Sequence, residues 1–238
     1  MKYILFVLVA VLTVMSFTAP PAKGFAEPEL ARIIFFHLPA AFATTIFCIV
    51  SAIAGLQYLR TKNWLWELRC HASSDLALSL GIATMLSGML FSKAQWGAWW
   101  HWDPRQTSFL IVLFLLAGYF AVRMAFDDEQ LRARAACAYA TISVLPNFFF
   151  IAVFPRLPQV ADKSLHPSDT VQGGKFSGEY WMVILPLFAM LLIISFWIYN
   201  MNVRAGLLAR KAKDLDGMSE AGAGATTSYR VERQATEN

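Results

Sequence analysis

The sequence predicts an all-α fold, a polytopic bundle of six transmembrane helices with both termini in the cytoplasm. Three observations carry this. First, the 238 residues are 57% apolar and 15% charged, whereas soluble domains average about 45–50% and about 25%; mean hydropathy is +0.48. Second, six apolar runs follow one another through residues 3–201, close to the ~20 residues a spanning helix needs. Third, the basic residues are segregated between alternate connecting segments, 13 of the 20 falling in one set and the remaining seven in the other.

The first run extends from Tyr3 to Thr18. With Lys2 before it and Ala19-Pro20-Pro21-Ala22 after it, the run also has the look of a secretory signal peptide. Either reading leaves the next segment outside. The other runs cover about 33–59, 76–91, 107–126, 135–154 and 180–201. Backbone polar groups in hydrocarbon must be satisfied within the segment, so each run is read as a helix. The richer basic set includes Lys2, Arg60, Lys62, Arg69, Arg123, Arg132, Arg134 and the cluster Arg204 to Lys213. The poorer set is Lys23, Arg32, Lys93, Arg105, Arg156, Lys163 and Lys175. Basic loops stay cytoplasmic, which fixes the orientation. Residues 1–213 therefore form the membrane domain. Residues 214–238, rich in Gly, Ala, Ser, Thr and charge, read as a disordered cytoplasmic tail.

Composition also excludes several classes. The net charge of +4 does not mark a nucleic-acid binder, because the Lys and Arg lie between apolar runs and form no single patch. Cys48, Cys70 and Cys137 are far apart and form no CxxC, so they read as buried small hydrophobes, with neither a disulfide framework nor a zinc site. There is no P-loop and no dinucleotide fingerprint.

The chemistry concentrates between the third and fourth runs. Trp96, Trp99, Trp100 and Trp102 place four of the eight tryptophans within seven residues. An interfacial aromatic belt explains one or two such residues. Four, with Gly97 among them, read better as a platform for a large flat ligand, since each indole offers a broad apolar face and one N–H. Gly97, lacking a side chain, would allow close approach of ligand or backbone. Asp103 before Pro104 reads as the N-cap of the fourth helix. Two of the four histidines, His37 and His166, fall on the same side as the tryptophans by charge counting alone. Each is either an ordinary interfacial histidine or an axial ligand, for which a neutral imidazole is suited. His71 falls at the opposite membrane face and His101 in the tryptophan segment. Arg32 and Arg105 are external. They either sit at the headgroups or present a guanidinium fork to a carboxylate. Lys93 and Lys163 are weaker candidates for that role.

The stretch Trp96 to Ser108 carries the pattern WGxWWxWDxRxTS in full. It resembles the tryptophan-rich WWD signature of the haem-handling family of cytochrome c biogenesis (the CcmC, CcmF and CcsA proteins). Length and layout are similar to the CcmC type. Arg32 to Ala40, Ala125 to Asp128 with Arg132 and Arg134, and Leu165-His166 are similar to further family segments. The resemblance covers about residues 28–200. It implies haem b as the bound group and His37 and His166 as axial ligands to its iron. It implies contacts from Trp96, Gly97, Trp99, Trp100, Trp102, Asp103, Arg105 and Arg32. It further implies location in a bacterial inner membrane with the site on the periplasmic face, and delivery of haem to a periplasmic chaperone, CcmE. The implied partners are the small membrane protein CcmD and the CcmA–CcmB transporter complex. Whether such a protein acts as a haem lyase or as an escort is left open. Three other readings remain: a transporter carrying haem or a small solute across the bilayer, a b-type electron-transfer subunit with fixed haem, and a purely structural assembly subunit, which would leave the tryptophan cluster unexplained.

Overall fold

The computed structural model describes residues 2–21, 25–166 and 178–236. Among these residues the chain is helical and contains no strand. The helices are α1 (Lys2–Thr18), α2 (Ile34–Thr61), α3 (Trp64–Trp96), α4 (Pro104–Met124), α5 (Glu129–Phe148), the single turn α6 (Pro158–Ala161) and α7 (Gly178–Thr236). A 3₁₀ turn, Leu30–Ile33, leads into α2.

Five helical segments are long and apolar enough to cross a membrane: Leu30–Thr61, Trp64–Trp96, Pro104–Met124, Glu129–Arg156 and Gly178–Asp216. The first helix is shorter, at 17 residues. It packs against α7. The outer surface suits lipid, with Phe114 68%, Ile142 70% and Leu145 74% exposed, an apolar display that a water-facing surface avoids.

Local chemistry sets the ends of the elements. Asn63 accepts from the Leu65 N–H at 2.9 Å and starts α3. Asp128 does the same for α5 through Leu131, at 2.6 Å. Both helices begin well before the apolar runs at 76 and 135. Pro146 lies inside α5 and cannot donate a backbone hydrogen bond. The helix loosens beyond it into a π turn, Phe149–Val153, and then a 3₁₀ turn, Phe154–Arg156. The last helix runs on to Thr236, through the segment expected to be disordered. Once a helix is nucleated, each added residue contributes a hydrogen bond, and the Ala, Glu, Arg and Gln there are good helix formers.

The core is layered along the bundle. One end packs Ala31, Phe35, Phe91, Tyr180, Val183 and Ile184, with Trp96 at its edge. The middle holds Phe47, Cys48, Leu76, Ala77, Val112 and Leu116. The far end holds Tyr58, Cys70, Tyr119, Ala136 and Cys137. All three cysteines are buried and free. The far end also buries an ion pair, Arg123 donating to Glu67 across α3 and α4. Removing one partner of a buried pair strands the other charge, at a cost of about 3–5 kcal/mol. Glu67→Ala is therefore expected to lower the unfolding free energy in detergent by that order. The double apolar variant of Glu67 and Arg123 should recover most of it.

Candidate functional site

The end of the bundle opposite the Glu67–Arg123 pair brings together the start of α2, the end of α3, the start of α4 and the loop after α6. Polar clasps fix this end. The Gln95 amide bonds the Glu27 backbone twice, accepting from its N–H at 3.1 Å and donating to its carbonyl at 2.8 Å. The Tyr180 hydroxyl donates to the Pro20 carbonyl at 2.9 Å. Arg32 donates to the Ala19 carbonyl and pairs with Glu29.

The tryptophan segment is a folded turn held by its neighbours. Gly97 closes α3 with φ +83° and an N–H bond to the Lys93 carbonyl. A Cβ built there meets nothing within 4 Å. No neighbouring protein atom requires the missing side chain; the left-handed backbone does. Gly97→Ala should cost about 1 kcal/mol, purely conformational, and Gly97→Asn less, as read by thermal unfolding. The Ser92 hydroxyl donates to the Ala98 carbonyl, and the Lys93 ammonium to the Gly97 carbonyl, each at 2.8 Å. The Gln106 amide accepts from the His101 N–H at 3.1 Å and donates to the Trp99 carbonyl at 3.3 Å.

The four indoles do not form one continuous shelf. Trp99 is 50% and Trp102 74% exposed. Trp102 is held at φ +53°, a conformation that costs a non-glycine residue about 1–2 kcal/mol. Trp100 stands edge-on to Trp102, with ring centroids 5.6 Å apart. Trp96 turns inward instead, edge-on to Phe91 at 5.5 Å, to His101 at 6.2 Å and to His166 at 5.6 Å. Two indoles are thus free to cover a ligand, while a third walls one histidine.

Asp103 does more than cap. One carboxylate oxygen accepts from the Arg105 N–H at 2.8 Å and starts α4. The other accepts from the Ser164 hydroxyl at 2.9 Å and the Leu165 N–H at 2.6 Å. The Ser164 hydroxyl in turn accepts from the His166 N–H at 3.2 Å. One buried carboxylate therefore joins the tryptophan segment to the loop that presents His166. The spacing of 61 residues hid this second role from the sequence.

His166 packs against Trp96 and Phe91. Burial first, then the charges of Arg105 and His37, hold its imidazole down at about 4, against the opposing charge of Asp103. It is neutral at pH 7, the form that coordinates metal. His37 meets α3 at Ser87 and Gly88, one turn before the Phe91 on which His166 packs. His37, at the start of α2, hydrogen-bonds Ser87 of α3 at 3.0 Å. His71 lies at the far end beside Tyr119, Phe120 and Asp75. Lys163 is exposed. Lys23 and Lys175 fall outside the described residues.

Among the described residues no three or more His, Cys, Asp or Glu cluster as a metal centre. Two imidazoles alone are too few for a bare divalent ion. They suit an iron that brings its own four equatorial nitrogens in a flat macrocycle. A helical membrane bundle with two histidines and exposed indoles gathered at one end belongs to the class of haem-handling membrane proteins. The chain is a member of the CcmC family, heme exporter protein C, whose model matches residues 1–216. It is similar to the heme exporter protein C of Rhodobacter capsulatus, with 24% identity over 204 residues, covering 84% of this chain and 81% of that protein. The Paracoccus denitrificans protein of the same name is 30% identical over 156 residues, covering 61% and 65%. The Escherichia coli protein is 34% identical over 114 residues, covering 48% and 46%.

Proposed function

We propose that this protein binds haem b at the periplasmic face of a bacterial inner membrane and delivers it to a periplasmic haem chaperone of the CcmE type. The observation that carries this reading is that His37 and His166 both rest on the last turns of α3, His37 at Ser87 and His166 at Phe91 and Trp96, where the tryptophan segment begins. His37 and His166 would hold the haem iron, and the exposed indoles of Trp99 and Trp102 would supply apolar contact to the macrocycle. Arg32, which pairs with Glu29 and the Ala19 carbonyl, and Arg105, which follows the Asp103 cap at the start of α4, are the candidate partners for the propionates. The basic excess at the opposite end supports a periplasmic site.

Firm holding and release make opposed demands. His37 stands on a long helix, whereas His166 stands on a loop clasped by one carboxylate. Loop-borne His166 is the ligand that yields when an acceptor offers its own. The partners CcmD and the CcmA–CcmB complex belong to the same proposal.

The test is co-expression with a periplasmic haem chaperone, reading covalent haem on that partner. Replacing Trp99 and Trp102 together with Ala should reduce loading by about tenfold or more, since stacked aromatic faces each contribute on the order of 1 kcal/mol. Undiminished loading refutes the platform. Haem flux into vesicles with no transfer to the chaperone favours an exporter instead.

A further inference from the structure

We propose that Ser87 of α3 is a positioning residue that fixes the tautomer of His37, keeping the proton on Nδ1 and the lone pair on Nε2. The proposal rests on the reading of His37 as an iron ligand and adds the residue that prepares it.

Hydrogen counting carries the inference. A serine hydroxyl has one proton to give and two lone pairs to receive with. The Ser87 Oγ lies 2.8 Å from the Ala83 carbonyl and 3.0 Å from the Thr84 carbonyl. Carbonyls only accept, so the hydroxyl proton is directed back onto the helix that carries it. The same Oγ lies 3.0 Å from His37 Nδ1. With its proton committed, Oγ meets Nδ1 as an acceptor, and Nδ1 is the donor. A neutral imidazole carries one N–H, so Nε2 keeps the lone pair and is the only nitrogen able to coordinate.

The next residue holds the ring in place. A Cβ built on Gly88 falls 3.1 Å from His37 Cε1 and 3.6 Å from Nδ1. The Nδ1–Cε1 edge therefore lies directly on α3, with Ser87 binding one atom and Gly88 leaving room for the other. A side chain at Gly88 would push the ring off the hydroxyl. Ligating histidines are oriented through their second nitrogen, and loss of such a partner weakens metal affinity by about 10–100-fold.

Ring-nitrogen NMR of haem-free protein in lipid nanodiscs tests this directly, with the His37 signals identified by their absence from His37→Ala. The wild type should show a single Nδ1–H tautomer at His37. Ser87→Ala should show a mixture, and Ser87→Thr, which keeps the hydroxyl, should restore the wild-type pattern. An unchanged tautomer in Ser87→Ala, or a wild-type proton on Nε2, overturns the proposal. In haem-loaded protein, Ser87→Ala should lose haem about tenfold faster to an apoprotein acceptor and shift the midpoint potential positive, because a donating Nδ1–H makes the ring a stronger donor to iron. Should His37→Ala retain normal haem, the ligand reading fails, while the tautomer measurement still decides the Ser87–His37 contact on its own.

Discussion

Purified His37→Ala protein is expected to carry less than about a tenth of the wild-type haem, because loss of a ligand exceeds the 10–100-fold effects seen when a ligand's partner alone is removed. His166→Ala should lose less at equilibrium and more in transfer. The asymmetry follows from how each ring is mounted. His37 leaves an α2 helix that extends from Ile34 to Thr61 and rests its Nδ1 on Ser87. His166 hangs from a loop whose clasp is Ser164 and Leu165 on Asp103. The haem absorption spectrum of each variant reports the loss, and added imidazole sharpens it: free imidazole should restore a two-nitrogen spectrum to either variant by filling the vacated axial position. Normal haem and a normal spectrum in both variants would sink the axial assignment.

Asp103 is expected to have the second largest effect, and its two oxygens allow the causes to be separated. Asp103→Ala removes an N-cap, about 1 kcal/mol, together with two hydrogen bonds to a carboxylate, each about 1.5–3 kcal/mol. It should lower thermal stability and also release the His166 loop. Asp103→Asn behaves differently. Asn is as good an N-cap as Asp, so its single carbonyl oxygen can still receive the Arg105 N–H. The amide nitrogen that replaces the second oxygen cannot accept from Ser164 or Leu165. The expected result is near-normal stability with haem handling resembling His166→Ala, and faster hydrogen exchange at the Leu165 and His166 amides. If Asp103→Asn transfers haem normally and protects those amides, the clasp has no functional role. Ser164→Ala should fall between the two, since one of the two clasping donors remains.

Much of the fold was legible because lipid imposes one rule on every span. Apolar runs from about 33 and 107 became α2 and α4 with small changes at their ends, and the run from about 180 became the first part of α7. The run at 76–91 gave only the later part of α3, which starts at Trp64. Glu67, Arg69, His71, Ser73, Ser74 and Asp75 interrupt hydropathy there. Several of them find partners inside the bundle: Glu67 in Arg123, the Ser73 hydroxyl in the Arg69 carbonyl, and the Ser74 hydroxyl in Ser51 at 2.7 Å. Hydropathy scores the cost of such groups but not the partner that removes it. Residues 214–236 present the opposite case. Their composition cannot build a core, yet they continue a helix already nucleated upstream.

The site divides along the same line. The sequence by itself determined the membrane class, the succession of apolar helices, the tryptophan segment and the two histidines worth watching, because hydropathy, charge and residue type are local properties. Only the tertiary structure decided what each of these residues does. It turned Trp96 inward and left Trp99 and Trp102 exposed, engaged Arg32 with Glu29, gave Asp103 a second partner in the His166 loop, and set Ser87 under His37. These are contacts between residues 50 or more positions apart, or choices among competing hydrogen-bond partners. Such outcomes depend on which helices pack side by side, and linear spacing carries no record of that.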